Sequence, residues 1–141
     1  MTYTWENGAF AVLKTRYMDK CHNQHDDLIV GTKGRCYLRA PLAEITGEKP
    51  WRYNGPRPAM HQVEHDELFA DLRAGKIPND GDAMANSTLA GIMGRMAAYT
   101  GREVTWEMAL NSKLDLTPKN LSWDMKLPVP APAEPGKTLL V

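Results

Sequence analysis

The stretch TYTWENGAFAVLKTRY, residues 2–17, decides the fold class. Residues 2–5 alternate and are rich in β-formers. Asn7-Gly8 supplies residues that tolerate the left-handed backbone of a tight reversal, and residues 9–17 resume as a strand. The spacing predicts a β-hairpin at the very start. Strand signals continue. LIV at 28–30 reads as a short buried strand, Gly31-Thr32-Lys33-Gly34 as a turn, and RCYLRA at 35–40 as the returning strand. Residues 41–59 carry Pro41, Pro50, Pro56 and Pro58 with Gly47 and Gly55, which restricts them to one or two short edge strands, WRY at 51–53 among them, followed by a loop.

Helical signals appear only after these strands. One helix is expected over Met60–Ala74, stopped by Gly75, and a second over Ala83–Thr100 with Asp82 as N-cap and Gly101 past its end. A short third helix is expected at 106–111, capped by Thr105. From Leu127 the proline-rich PVPAPAEP favours extended structure. Strands first and helices second argue an α+β fold: an antiparallel or mixed open sheet with helices packed on one face. Residues 1–126 form the domain and 127–141 the proline-rich tail. A chain of 141 residues suits one domain with its own core.

Composition narrows function. Seventeen basic and seventeen acidic residues cancel, and no basic cluster stands out, which argues against nucleic acid. No apolar run approaches the roughly 18 residues of a membrane span. The two cysteines, Cys21 and Cys36, lack metal-knuckle spacing and read as reduced thiols of a cytoplasmic protein.

HQVEH at 61–65 spells H-x-x-E-H, the pattern of an inverted zinc-protease helix: His61 and His65 as ligands, Glu64 to activate water. At about 100° per residue, His61, His65, Leu68 and Leu72 share one stripe, expected to face the sheet, with Glu64 at its border. An inward histidine needs a hydrogen-bond partner or a ligand. Three readings stay open: a zinc hydrolase, a satisfied core histidine, and a histidine lining a small-molecule pocket. Zinc needs a third protein ligand, and the long helix that follows, AMANSTLAGIMGRMAAYT, contains no acid. The apolar stripe of that helix, Ala85, Leu89, Ile92 and Met96, reads as packing. His22 and His25 with Asp26 and Asp27 form a second possible metal cluster, in a polar loop where solvated surface is the plainer reading. There is no G-x-S-x-G elbow and no G-x-G-x-x-G fingerprint.

Longer segments carry a resemblance. WRYNG (51–55), HQVEHDELFADLRAGKIPND (61–80), STLAGIMGRMAAYTGREVTWEMALNSKLDL (87–116) and PVPAPAEPGK resemble the C-terminal domain of the glucose–fructose oxidoreductase, inositol dehydrogenase and MocA (Gfo/Idh/MocA) family, in its large bacterial branch. The opening hairpin and VGTKGRCYL fit strands of the same domain. The resemblance implies an oxidoreductase that moves a hydride between NAD(P) and a sugar or cyclitol. It also implies a nucleotide-binding Rossmann domain that these residues do not match. By this resemblance the chain binds no cofactor alone and is catalytically silent, holds a polyol or sugar, and forms a homo-oligomer through its sheet face. A periplasmic location is compatible if an export signal belongs to the full protein. Glu48-Lys49-Pro50 repeats the family's catalytic-lysine spelling, but in the wrong domain, and Lys49 reads as a solvated loop lysine. The matching family helix has counterparts for Glu64 and His65 and none for His61. The substrate-site candidates are therefore His65 and Glu64, then His61, Arg16 and Asn23. A non-catalytic binding module that keeps the sheet is the alternative from another class.

Overall fold

The hairpin expected at the start is present and shorter than expected. In the computed structural model, which describes residues 1–118, 120–127 and 129–140, strand β1 (Thr2–Thr4) pairs antiparallel with β2 (Phe10–Val12). The connection is a three-residue loop. Gly8 N–H donates to Trp5 C=O and Trp5 N–H to Ala9 C=O, with Gly8 at φ 82°. This is a type I turn closed by a left-handed glycine bulge, in which Asn7 Oδ1 accepts from Ala9 N–H. The expected strand over 9–17 stops at Val12. Leu13 N–H still reaches Met1 C=O at 2.9 Å.

The chain divides into two compact units: Met1–Arg16 with Asn79–Val141, and Tyr17–Pro78. In the first unit, α2 (Gly81–Thr100) and α3 (Trp106–Leu110) pack together. The N-cap of α2 is Asp80, not Asp82. Asp82 lies in the first turn, where its charge complements the helix dipole. Gly101, at φ 70°, ends the helix. Thr105 caps α3 as expected, its Oγ1 accepting from Met108 N–H at 3.2 Å. The core of this unit is small: Met96 and Ala109, with Thr100 3% exposed and Gly94 under the Tyr3 hydroxyl. Tyr3 donates that hydroxyl to Ala90 C=O at 3.0 Å. Part of the proline-rich tail is tied down, since Gly136 N–H donates to Thr100 C=O at 2.8 Å. Pro128 and Val141, within the tail segment, lie outside the described residues.

The second unit holds a four-stranded antiparallel sheet in sequential order: β3 (Asp27–Gly31), β4 (Gly34–Arg39), β5 (Leu42–Gly47) and β6 (Trp51–Arg52). Two-residue loops, Thr32-Lys33 and Ala40-Pro41, join the first three strands. The helix α1 (Met60–Arg73) follows and ends in a Schellman motif: Lys76 N–H donates to Asp71 C=O, Gly75 N–H to Leu72 C=O, and Gly75 sits at φ 76°. The fold is α+β with open antiparallel sheets. Among the described residues it has two sheets, of two and four strands, where a single sheet was the expectation.

Two expectations fail here. LIV at 28–30 was expected to be buried. It is an edge strand, with Leu28, Ile29 and Val30 58%, 60% and 63% exposed. The stripe of α1 was expected to face the sheet. Yet α1 has no buried residue, and it does not lie across the four strands. An amphipathic pattern fixes which face is apolar, not whether a partner covers it.

Candidate functional site

The sheet of the second unit is two-sided in chemistry. Paired residues share a face, and successive residues alternate. The register puts Ile29 opposite Cys36, Cys36 opposite Ile45, Leu38 opposite Ala43, and Ile45 opposite Trp51. One face therefore carries Ile29, Cys36, Leu38, Ala43, Ile45 and Trp51, with Asp27 at its corner opposite Leu38. The other face carries Arg35, Tyr37, Arg39, Glu44, Thr46 and Arg52, with Leu28, Val30 and Leu42 among them.

Nothing in its own unit covers the apolar face. Ile29, Leu38, Ile45 and Trp51 are all exposed, and no residue between Tyr17 and Pro78 is buried.

At one end of the charged face, Asp26 is held by two short bonds. Tyr37 Oη and Gln24 Nε2 each donate to Asp26 Oδ2 at 2.6 Å. The Tyr37 hydroxyl, then the Gln24 amide, holds the Asp26 carboxyl below the usual carboxylate range. The same bond to the carboxylate pushes the Tyr37 phenol up. Both effects organise the loop 22–26 against β4.

The expected site residues are all exposed, Arg16 in one unit and Asn23, His61, Glu64 and His65 in the other. His61, Glu64 and His65 lie on exposed turns of α1. His61 Nδ1 stands 3.8 Å from Glu64 Oε2, with side chains 81% and 73% exposed. His65 Nδ1 bonds back to His61 C=O at 2.7 Å, within the helix itself. The inward orientation predicted for both histidines is thus corrected: they face water, because nothing is packed on that stripe. Asn23 is exposed in the loop before β3, and Arg16 is exposed at the end of the first segment, in the other unit. Lys49 is exposed between β5 and β6.

Among the described residues, no group of three or more His, Cys, Asp or Glu side chains is placed to hold a metal ion, His22, His25, Asp26 and Asp27 included. The four strand pairings are all antiparallel, and no strand–glycine–helix unit occurs among them. No helix among the described residues is long and apolar enough to cross a membrane.

The sequence places the sheet's residues in strands rather than in a site, although the signal of a two-sided sheet is there. Cys36 and Leu38 alternate with Arg35, Tyr37 and Arg39, and Ala43 and Ile45 alternate with Glu44 and Thr46. Compared with known proteins, the chain matches no family model, no curated protein and no solved structure.

Proposed function

We propose that the chain is the substrate-binding and assembly portion of an NAD(P)-dependent sugar or cyclitol oxidoreductase of the Gfo/Idh/MocA type, and that it works by association through the apolar face of its four-stranded sheet. The observation that carries the association is that face itself: Ile29, Cys36, Leu38, Ala43, Ile45 and Trp51 in adjacent registers, with no cover in their own unit. Covering such a face stabilises by about 25 cal/mol per Å² of apolar area removed from water. The oxidoreductase part rests on the resemblance of segments 51–55, 61–80 and 87–116. In this reading NAD(P) is held by a separate Rossmann domain. The chain contributes shape and polar groups to a polyol pocket that is completed on association.

Sedimentation of the full chain tests the association. The wild type is expected to self-associate through the face, and Ile45→Asp, a charge in the middle of that face, is expected to weaken this by tenfold or more in Kd, since each 1.4 kcal/mol is about a decade. A wild type that stays monomeric at high concentration contradicts the reading. Thermal shift with a panel of hexoses and inositols tests the ligand class. Stabilisation by a polyol supports the oxidoreductase portion. Self-association without any such shift favours a pure interaction module.

A further inference from the structure

The sheet face explains only part of what β3 exposes. Ile29 belongs to the apolar face, but Leu28 and Val30 point to the opposite, charge-bearing face and are as exposed as Ile29. A partner lying on one face cannot cover all three. A partner lying along the edge can.

The register states what that edge offers. Gly31 and Gly34 flank a two-residue loop and so form a hydrogen-bonded pair. Alternation makes Ile29–Cys36 and Asp27–Leu38 hydrogen-bonded pairs as well. Leu28 and Val30 then turn their N–H and C=O groups away from β4, into the open. The same alternation runs on through the sheet, where Tyr53 N–H donates to Ala43 C=O at 2.9 Å on the far side of β5. The free edge presents two donors and two acceptors on two residues that flank Ile29. No proline or charged residue interrupts positions 28–30, although such residues are the usual guards of an exposed edge.

We propose that β3 pairs antiparallel with β3 of a second copy of the chain, with Ile29 meeting Ile29 on a two-fold axis. In that register Leu28 and Val30 of one copy exchange both backbone hydrogen bonds with Val30 and Leu28 of the other, four bonds in all. Every open group of the edge is matched. The flanking charges agree with it: Asp27 lies opposite Gly31 of the second copy, one pleat from that copy's Lys33. Each apolar face is extended by its neighbour into one eight-stranded surface. Growth stops at two copies, because the other edge, β6, is two residues long and is followed by Pro56 and Pro58. This pairing is independent of the face-to-face association proposed above.

Cross-linking distinguishes the two. Opposed residues of a non-hydrogen-bonded antiparallel pair sit about 4.5 Å apart at Cα, within disulfide reach. Stacked sheets lie about 10 Å apart, outside it. The full chain would carry Cys21→Ser and Cys36→Ser, the latter because Cys36 faces Ile29 within the same ladder. In that background, Ile29→Cys is expected to form a covalent dimer on mild oxidation, at least about tenfold faster than Thr46→Cys on the interior strand β5. Adding Ile45→Asp, which spoils the face and spares the edge, is expected to leave the Ile29→Cys cross-link in place. No Ile29→Cys dimer, an equal rate for Thr46→Cys, or loss of the cross-link with Ile45→Asp would each overturn the edge pairing.

Discussion

The two units of the chain solve the same problem to different degrees. The unit of Met1–Arg16 and Asn79–Val141 closes a small core, with Gly94, Met96, Thr100 and Ala109 buried around α2 and α3. The unit of Tyr17–Pro78 builds a regular ladder from β3 to β6 and buries nothing. Hydrogen bonds alone contribute modestly to stability, because water competes for every donor and acceptor. Regular secondary structure is therefore not the same as a core. The second unit has specified its strands, register and turns, and its apolar face has no cover within the unit.

The sharpest way to break that contrast is at Gly94. A Cβ there would collide with the Tyr3 hydroxyl and press on the Met1 sulfur. Tyr3 can yield only by giving up its bond to Ala90 C=O. Gly94→Ala is expected to cost about 1–3 kcal/mol in thermal denaturation. A neutral result would mean that the first unit is as loosely packed as the second. Thr100 is the next test. Its Oγ1 donates to Met96 C=O and accepts from Arg102 N–H at 3.2 Å, inside the same core. Thr100→Val keeps the shape and removes both bonds, at an expected cost of roughly 1–2 kcal/mol. Thr105→Ala strips the α3 cap, an expected loss of about 1 kcal/mol, read by the same melt.

Matched truncations in the other unit are expected to do much less to the dilute chain. Ile29→Ala removes a branched apolar side chain that is 60% exposed, and its expected effect on the dilute chain is within about 0.5 kcal/mol. A loss of 2 kcal/mol or more would show that β3 is already covered. The smallest expected effect is the pH response of the loop at Asp26. Its carboxyl is depressed first by the Tyr37 hydroxyl and then by Gln24, so its contribution is complete above the ordinary carboxylate range. That contribution is lost as pH falls through the lowered value. The Tyr37 phenol is raised, chiefly by Asp26, so its contribution is complete below the ordinary phenol range and lost as pH rises through the raised value. Between these limits the bond is intact. Tyr37→Phe should move the Asp26 titration upward, as followed by carboxyl NMR shifts. An unmoved midpoint would remove the hydroxyl as the cause.

Much of this architecture was legible in the residues. Thr105 as a cap, Gly75 and Gly101 as helix stops, and Gly31-Thr32-Lys33-Gly34 as a tight turn are local choices, and local chemistry decides them. Asn7-Gly8 announced the hairpin but not the type I turn and bulge, since the same residues suit both loops. Burial was not legible. Leu28, Ile29 and Val30 look like an interior strand, and His61, His65, Leu68 and Leu72 look like an inward stripe, because sequence pattern reports the face that prefers cover and says nothing of who supplies it. The candidate site was half legible for the same reason. The alternation from Arg35 to Thr46 defines an apolar face, while His61, Glu64 and His65 drew the eye by spelling rather than by surroundings.

Hydrogen exchange as a function of protein concentration tests the central claim, that Tyr17–Pro78 acquires its core only by association. The backbone amides of residues 27–47 are expected to gain protection steeply as concentration rises, while those of residues 90–100 in α2 hold the same protection throughout. Protection in 27–47 that equals that of α2 and does not change with concentration would contradict the account.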